Sequence, residues 1–157
     1  MGLEIERKFL LQGDAWRELA QQSGTTTLLR QGYLSDARER VVRVRIDGEQ
    51  AFLTIKGQNQ GIARAEWEYA IPLADAQAML VLCLTPLIEK YRSRIMYEGM
   101  CWEIDEFLGE NAGLVVAEIE LQHAEQSFIK PDWIGLEVSH DARYANSNLS
   151  KLPFSRW

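Results

Sequence analysis

Seven stretches of this chain alternate ionised and apolar residues with a period of two. Glu4, Glu6 and Lys8 stand against Leu3, Ile5 and Phe9; Arg43 and Arg45 against Val42, Val44 and Ile46; Lys56 against Leu53 and Ile55. Glu66 and Glu68 flank Trp67 and precede Tyr69, and Lys90, Arg92 and Arg94 repeat the spacing. Glu103 and Asp105 oppose Trp102 and Ile104, and Glu118 and Glu120 oppose Ala117, Ile119 and Leu121. Residues two apart share a face of an extended strand, so each stretch has one charged face and one apolar face. A solvated sheet face also alternates, and its ion pairs contribute only about 0.2–1 kcal/mol each. Such a face normally mixes in Thr, Ser, Gln and Asn. Here eight carboxylates and seven bases occupy nearly every position of the charged face. That concentration points to faces that converge on a shared interior.

The punctuation between these stretches sets the fold class. Strands are expected over 3–11, 25–34, 40–46, 50–56, 64–71, 87–97, 100–107 and 114–121, with a further short one over 134–138. Asp47-Gly48 between two alternating runs favours a tight hairpin, and Glu98-Gly99 marks another turn. Helices are expected over 15–22, capped by Asp14, over 73–84, where Pro86 blocks continuation, and around 144–149. Strands follow one another through turns more often than through helices, which gives an antiparallel α+β protein. Eight such strands closed into a barrel with a few flanking helices would leave no open edges. At 157 residues, the chain is expected to be one domain spanning residues 1–157.

A lumen lined by so many charges requires them to be paired, hydrated or neutralised by a ligand. Carboxylates collect a hard divalent cation such as Mg²⁺ or Mn²⁺, and Arg and Lys suit phosphate oxygens. Both together fit a polyanion carried with its metal, with charge dispersed along its length as in a triphosphate. The net charge of −6 argues against nucleic-acid or membrane partners. No apolar run approaches the roughly 18 residues needed to span a bilayer, and the first residues alternate in charge, so a cytoplasmic location is expected. Cys83 and Cys101 are read as reduced core thiols, His123 and His140 as surface groups, and Tyr33, Phe52 and Trp67 as core. The mixed run Asp36 to Arg40 reads as a solvated loop.

Glu4-Ile5-Glu6-Arg7-Lys8-Phe9 resembles the E-x-E-x-K signature of the CYTH superfamily, also called triphosphate tunnel metalloenzymes. The R-x-R of Arg43 and Arg45, Lys56, the E-x-E of Glu66 and Glu68, the K-x-R of Lys90 and Arg92, the acidic pair Glu103 and Asp105, and the late E-x-E of Glu118 and Glu120 follow in the family's order. The tail from Arg143 to Asn148 is similar to that of the small bacterial members. The resemblance implies an eight-stranded antiparallel β tunnel that hydrolyses a triphosphate with one or two divalent ions. It implies metal binding by Glu4, Glu6, Glu118 and Glu120, helped by Glu66, Glu68, Glu103 and Asp105. Lys8, Arg43, Arg45, Lys56, Lys90 and Arg92 would line the phosphate track, with Arg94 at a tunnel mouth or in a structural pair. Glu4, Glu6 and these six bases are the expected catalytic set. The adenylyl cyclase branch typically carries a His-Phe element on the second strand, where this chain has Arg30-Gln31-Gly32-Tyr33-Leu34. Thiamine triphosphatases read their substrate with aromatic residues; Trp16, Trp67, Trp102 and Trp133 are available, two of them on outward faces. Inorganic tripolyphosphate is therefore the favoured small-molecule substrate. Nucleoside or thiamine triphosphate hydrolysis, ATP cyclisation and non-catalytic polyphosphate binding are the alternatives, and the assembly state is open, a homodimer included.

Overall fold

A computed structural model describes residues 2–157. Its nine strands are β1 (Gly2–Leu11), β2 (Thr25–Ala37), β3 (Arg40–Asp47), β4 (Gln50–Gly57), β5 (Ala63–Ile71), β6 (Leu84–Tyr97), β7 (Met100–Phe107), β8 (Val115–Glu120) and β9 (Ile134–Glu137). Its helices are α1 (Ala15–Gln22), α2 (Leu73–Leu82) and α3 (Asn146–Lys151). The strands run in the order β5-β4-β3-β2-β6-β7-β8-β1, and β1 pairs back onto β5, so eight antiparallel strands close into a barrel. One edge of β1 serves two partners: Gly2 to Ile5 close the barrel against β5, while Phe9 and Leu11 pair with β9 outside it. Closure leaves the barrel strands few open edges.

The expected turns form. Asp47 pairs with Gln50 around Gly48, at φ +63°, and Tyr97 pairs with Met100 around Glu98 and Gly99, both at positive φ. Two consecutive positive-φ residues match the right-handed twist of the strands they join. Gly32 answers to a different constraint. A Cβ there would lie 2.6 Å from the Leu87 side chain and 2.7 Å from Cys83 Cβ, so only glycine lets β2 approach the end of α2.

Three apolar clusters hold the barrel. Outside it, Phe9, Trp102, Ile104, Ala117 and Ile119 pack under Trp16 and Ala20 of α1 and under Trp133. Val44, Ile46 and Ala51 pack under Ala76 and Leu80 of α2, with Cys83 beside them. The third cluster lies inside one end: Tyr33, Val41, Ile88, Phe107 and Val116 share the faces that carry charge elsewhere, and Val138, Tyr144 and Leu149 of the C-terminal segment seat on them. At that end an apolar plug thus fills one side of the charged interior.

Several expectations need correction. The run 36–40 is a two-residue turn, because β2 extends to Ala37 and β3 starts at Arg40. Strand β6 begins before Pro86, at the irregularity in its pairing with β2, where a missing N–H is tolerated. Asp14 makes no side-chain cap; it lies 3.4 Å from Arg17 Nε instead. Cys101 is an exposed thiol on the inward-facing row of β7, not a core one. Phe52 shares the inner face of β4 with Thr54 and Lys56, and Trp67 lies half-buried on the outer face of β5, beside exposed Ile55 and Tyr69. Among the described residues, no helix is long and apolar enough to cross a membrane.

Candidate functional site

The side chains of the charge ladder meet inside the barrel. Register makes this unavoidable: Lys8 pairs with Glu118, Glu118 with Glu103, Arg92 with Asp105, and Lys56 with Glu66. Opposite residues in an antiparallel pair point to one face, roughly 5 Å apart. Closure then aims all these faces at the axis.

Most of the acids meet a base there. Lys56 Nζ lies 2.9 Å from Glu4 and 3.3 Å from Glu66. Arg43 and Arg45 reach Glu68 at 3.5 and 3.8 Å, and Thr54 donates a hydrogen bond to the same carboxylate. Asp105, fully buried, joins Lys90 at 2.8 Å and Arg92 at 2.7 Å. Glu118 lies 3.6 Å from Lys8 and 3.7 Å from Arg92. Arg94 pairs with Asp47 and Glu103 at 3.0 and 3.2 Å, a structural bridge at a partly exposed end of the lumen.

Two acids are exceptions. Glu6 and Glu120 face each other across the β1–β8 ladder, and neither has a base partner among the described residues. Burial, then Glu118 and Glu4, push the Glu6 carboxyl up to about 8. Burial, with Glu4 and Glu103 close by, raises Glu120 as well. Glu118 goes the other way: burial opposes its charge, but Lys8 and Arg92 outweigh that and bring it to about 2. An uncompensated pair of carboxylates with oxygen ligands on neighbouring strands suits a hard divalent cation. No group of three or more acid, histidine or cysteine side chains is already gathered for a metal among the described residues, because Glu4 and Glu118 lean on Lys56, Lys8 and Arg92.

The bases are also incompletely used. The Nε groups of Arg43 and Arg45 are buried without an acceptor. Burial, then the charges of Arg43 and Arg92, lower the Arg45 guanidinium to about 10. Burial lowers Lys90 to about 8 although Asp105 supports its charge. Cations held this close against their own repulsion are arranged for an anion with many acceptor oxygens.

A cavity of about 590 Å³ opens at the end bearing the β2–β3 and β4–β5 connections. Glu4, Glu6, Lys8, Arg43 and Lys56 reach it from within, and residues 138–148 wall one side. That wall touches the site directly: Lys8 Nζ donates to the Tyr144 carbonyl at 3.1 Å, and Lys90 Nζ to Asn146 Oδ1 at 2.8 Å. His140, expected as a surface group, is exposed but lines this mouth; His123 is an exposed group elsewhere. None of Trp16, Trp67, Trp102 or Trp133 lines the cavity.

Sequence reasoning missed several lumen residues. On β2, Leu29, Gln31 and Tyr33 lie opposite Asp47, Arg45 and Arg43, so this strand presents an uncharged stripe that carried no ladder signal. Asp47, read as a turn residue, pairs with Arg94, and Arg64 continues the inward row of Glu66 and Glu68. Arg64 stands two positions before Glu66 inside the expected strand 64–71, so the period-two rule already placed it on the charged face, and it was passed over there.

Comparisons with known proteins agree with this geometry. The CYTH domain model matches residues 2–153. An inorganic triphosphatase of Acetivibrio thermocellus is 50% identical over 158 residues, covering 100% of this chain and 99% of the relative. An inorganic triphosphatase of Nitrosomonas europaea is 34% identical, covering 94% and 96%. The solved structure of the inorganic triphosphatase NE1496 superposes with a TM-score of 0.65 at 31% identity, covering 94% and 97%. PH1012 of Pyrococcus horikoshii shares the fold at a TM-score of 0.58 and 18% identity, covering 77% and 79%. With a family model spanning nearly all of it and full-length relatives at this identity, the chain belongs to the CYTH domain family.

Proposed function

We propose that this protein hydrolyses inorganic tripolyphosphate to pyrophosphate and phosphate, with Mg²⁺ or Mn²⁺ as the metal. The observation that carries the reading is the pair of buried, unpartnered Nε donors of Arg43 and Arg45 in a lumen shared with Lys8, Lys56, Lys90 and Arg92. A linear triphosphate offers acceptor oxygens along its length and would satisfy them. These six bases hold the chain and offset the charge that develops on the leaving pyrophosphate.

Glu6 and Glu120 are the acids best placed to hold a divalent ion, with Glu4 and Glu118 beside them. Such an ion, when bound, neutralises phosphoryl charge and lowers the pKa of a coordinated water. Asp105 is committed to Lys90 and Arg92 and orients them. Glu66, Glu68 and Glu103 lie beside Lys56, Arg43 and Arg92, where they fix those bases or help to hold water or a second ion. In the reaction, water adds to a terminal phosphorus, the phosphoanhydride bond breaks, and a lumen carboxylate takes the proton. With no tryptophan lining the cavity, a short inorganic chain fits better than an aromatic ester.

A substrate panel tests this: tripolyphosphate, ATP and thiamine triphosphate, each with Mg²⁺ or Mn²⁺, scored for phosphate, pyrophosphate and cyclic nucleotide. Tripolyphosphate should be the preferred substrate, and Arg43→Ala and Arg45→Ala should each lower kcat by a factor of roughly tens to thousands without loss of fold. Preference for a nucleotide or thiamine ester, cyclic product, or full activity in both variants would overturn the assignment.

A further inference from the structure

Nearly every cation of this chain has a carboxylate partner. Of its 17 Lys and Arg residues, three make no such pair among the described residues: Arg38, Arg64 and Lys130. In a protein with a net charge of −6, an arginine without a carboxylate is exceptional. Arg38 and Arg64 both line the cavity of about 590 Å³, and Lys130 lies elsewhere, over the Phe9 ring at 5.4 Å.

Arg64 is held in place. It sits on the inward row of β5, and its Nε and Nη2 donate to the Gly57 carbonyl at 3.1 and 2.8 Å. That leaves Nη1 without a hydrogen-bond partner among the described residues, at the rim of the cavity. Arg64 stands across the β1–β5 ladder from Glu4 without a carboxylate at salt-bridge distance, and a guanidinium anchored through a neutral carbonyl keeps a free donor edge, which suits a phosphoryl group. Arg38, exposed on the β2–β3 turn, adds a second positive charge at the same mouth.

We propose that Arg64, assisted by Arg38, forms an outer phosphate subsite that binds the terminal phosphoryl group of the linear substrate in addition to the inner bases. This rests on the triphosphatase reading above and assigns the solvent-side end of the chain. The subsite contributes to binding and leaves the inner chemistry unchanged.

The test is steady-state kinetics of the full chain on tripolyphosphate with Mg²⁺, joined to calorimetric binding of tripolyphosphate in EDTA. Arg64→Gln should raise KM about ten-fold or more, the scale of a lost charged hydrogen bond, with kcat within about three-fold. Arg64→Lys should recover part of the loss, Arg38→Gln should raise KM by a smaller factor, and Lys130→Gln should change neither constant. An unchanged KM in Arg64→Gln, a fall confined to kcat, or an equal rise in Lys130→Gln would overturn the proposal. If Arg64→Gln fails to fold, Arg38→Gln carries the test, and an unchanged KM there overturns it. If the wild type hydrolyses no triphosphate, the functional reading fails, and calorimetry still judges the subsite: weaker binding by Arg64→Gln supports it, and equal or absent binding overturns it.

Discussion

Replacing Glu6 by Gln separates the cost of the unpaired acid from its use. In the folded chain this carboxyl is raised to about 8 by burial and by Glu118 and Glu4, against an ordinary value of 4.5. Below pH 4.5 it is protonated whether folded or unfolded, and no penalty exists. Between 4.5 and about 8 the unfolded chain releases a proton that the folded chain retains, so stability falls as pH rises through this window. At ~1.4 kcal/mol per pH unit the ceiling is about 5 kcal/mol. Water in the lumen and relaxation of the neighbouring acids screen much of this, leaving about 1–2 kcal/mol at pH 8. Glu6→Gln is isosteric and removes the charge, so without metal it should melt about 2–8 °C above wild type at pH 8 and within about 1 °C of it at pH 4.5, from ~2–4 °C per kcal/mol for a chain of this size. Thermal melts in EDTA at the two pH values measure this. Millimolar Mn²⁺ should then raise the wild-type Tm and leave the variant nearly unmoved, while triphosphatase activity is lost. A variant that melts below wild type at pH 8 in EDTA, or that gains as much from Mn²⁺, would refute the reasoning.

Asp105→Asn should lower stability by about 3–5 kcal/mol, because the buried ammonium of Lys90 and guanidinium of Arg92 lose their shared counter-charge. Glu103→Gln, partly exposed, should cost under about 1 kcal/mol in the same denaturant titration. Trp102→Ala should cost about 3–5 kcal/mol by opening a cavity beneath Phe9, Phe128 and Trp133, with kcat per folded molecule unchanged, since this ring lies outside the barrel.

The fold class was legible because alternation is a local property. A strand whose face carries Glu4, Glu6 and Lys8 declares that face before any partner is known. The turns at Asp47-Gly48 and Glu98-Gly99 were legible for the same reason: their residue types answer to backbone dihedrals. The apolar plug was not. Val41, Ile88, Phe107 and Val116 sit at the ends of charged rows, and only the return of residues 138–149 into the barrel decides that those positions meet hydrocarbon. Phe52 was misread because an aromatic residue was expected in a core, while its position in β4 puts it on the same face as Lys56.

Which residues form each strand, which side of it is charged, and the approximate membership of the site follow from residue order, because each depends on neighbours two positions away. The pairing of those charges does not. That Asp105 is spent on Lys90 and Arg92, that Glu6 and Glu120 are left facing each other, and that Arg64 makes no salt bridge among the described residues depend on barrel closure and strand register. Electrostatic partnership is set by distance through space, and residues more than a hundred positions apart, as Lys8 and Glu118 are, come within a few ångströms only when β1 pairs with β8.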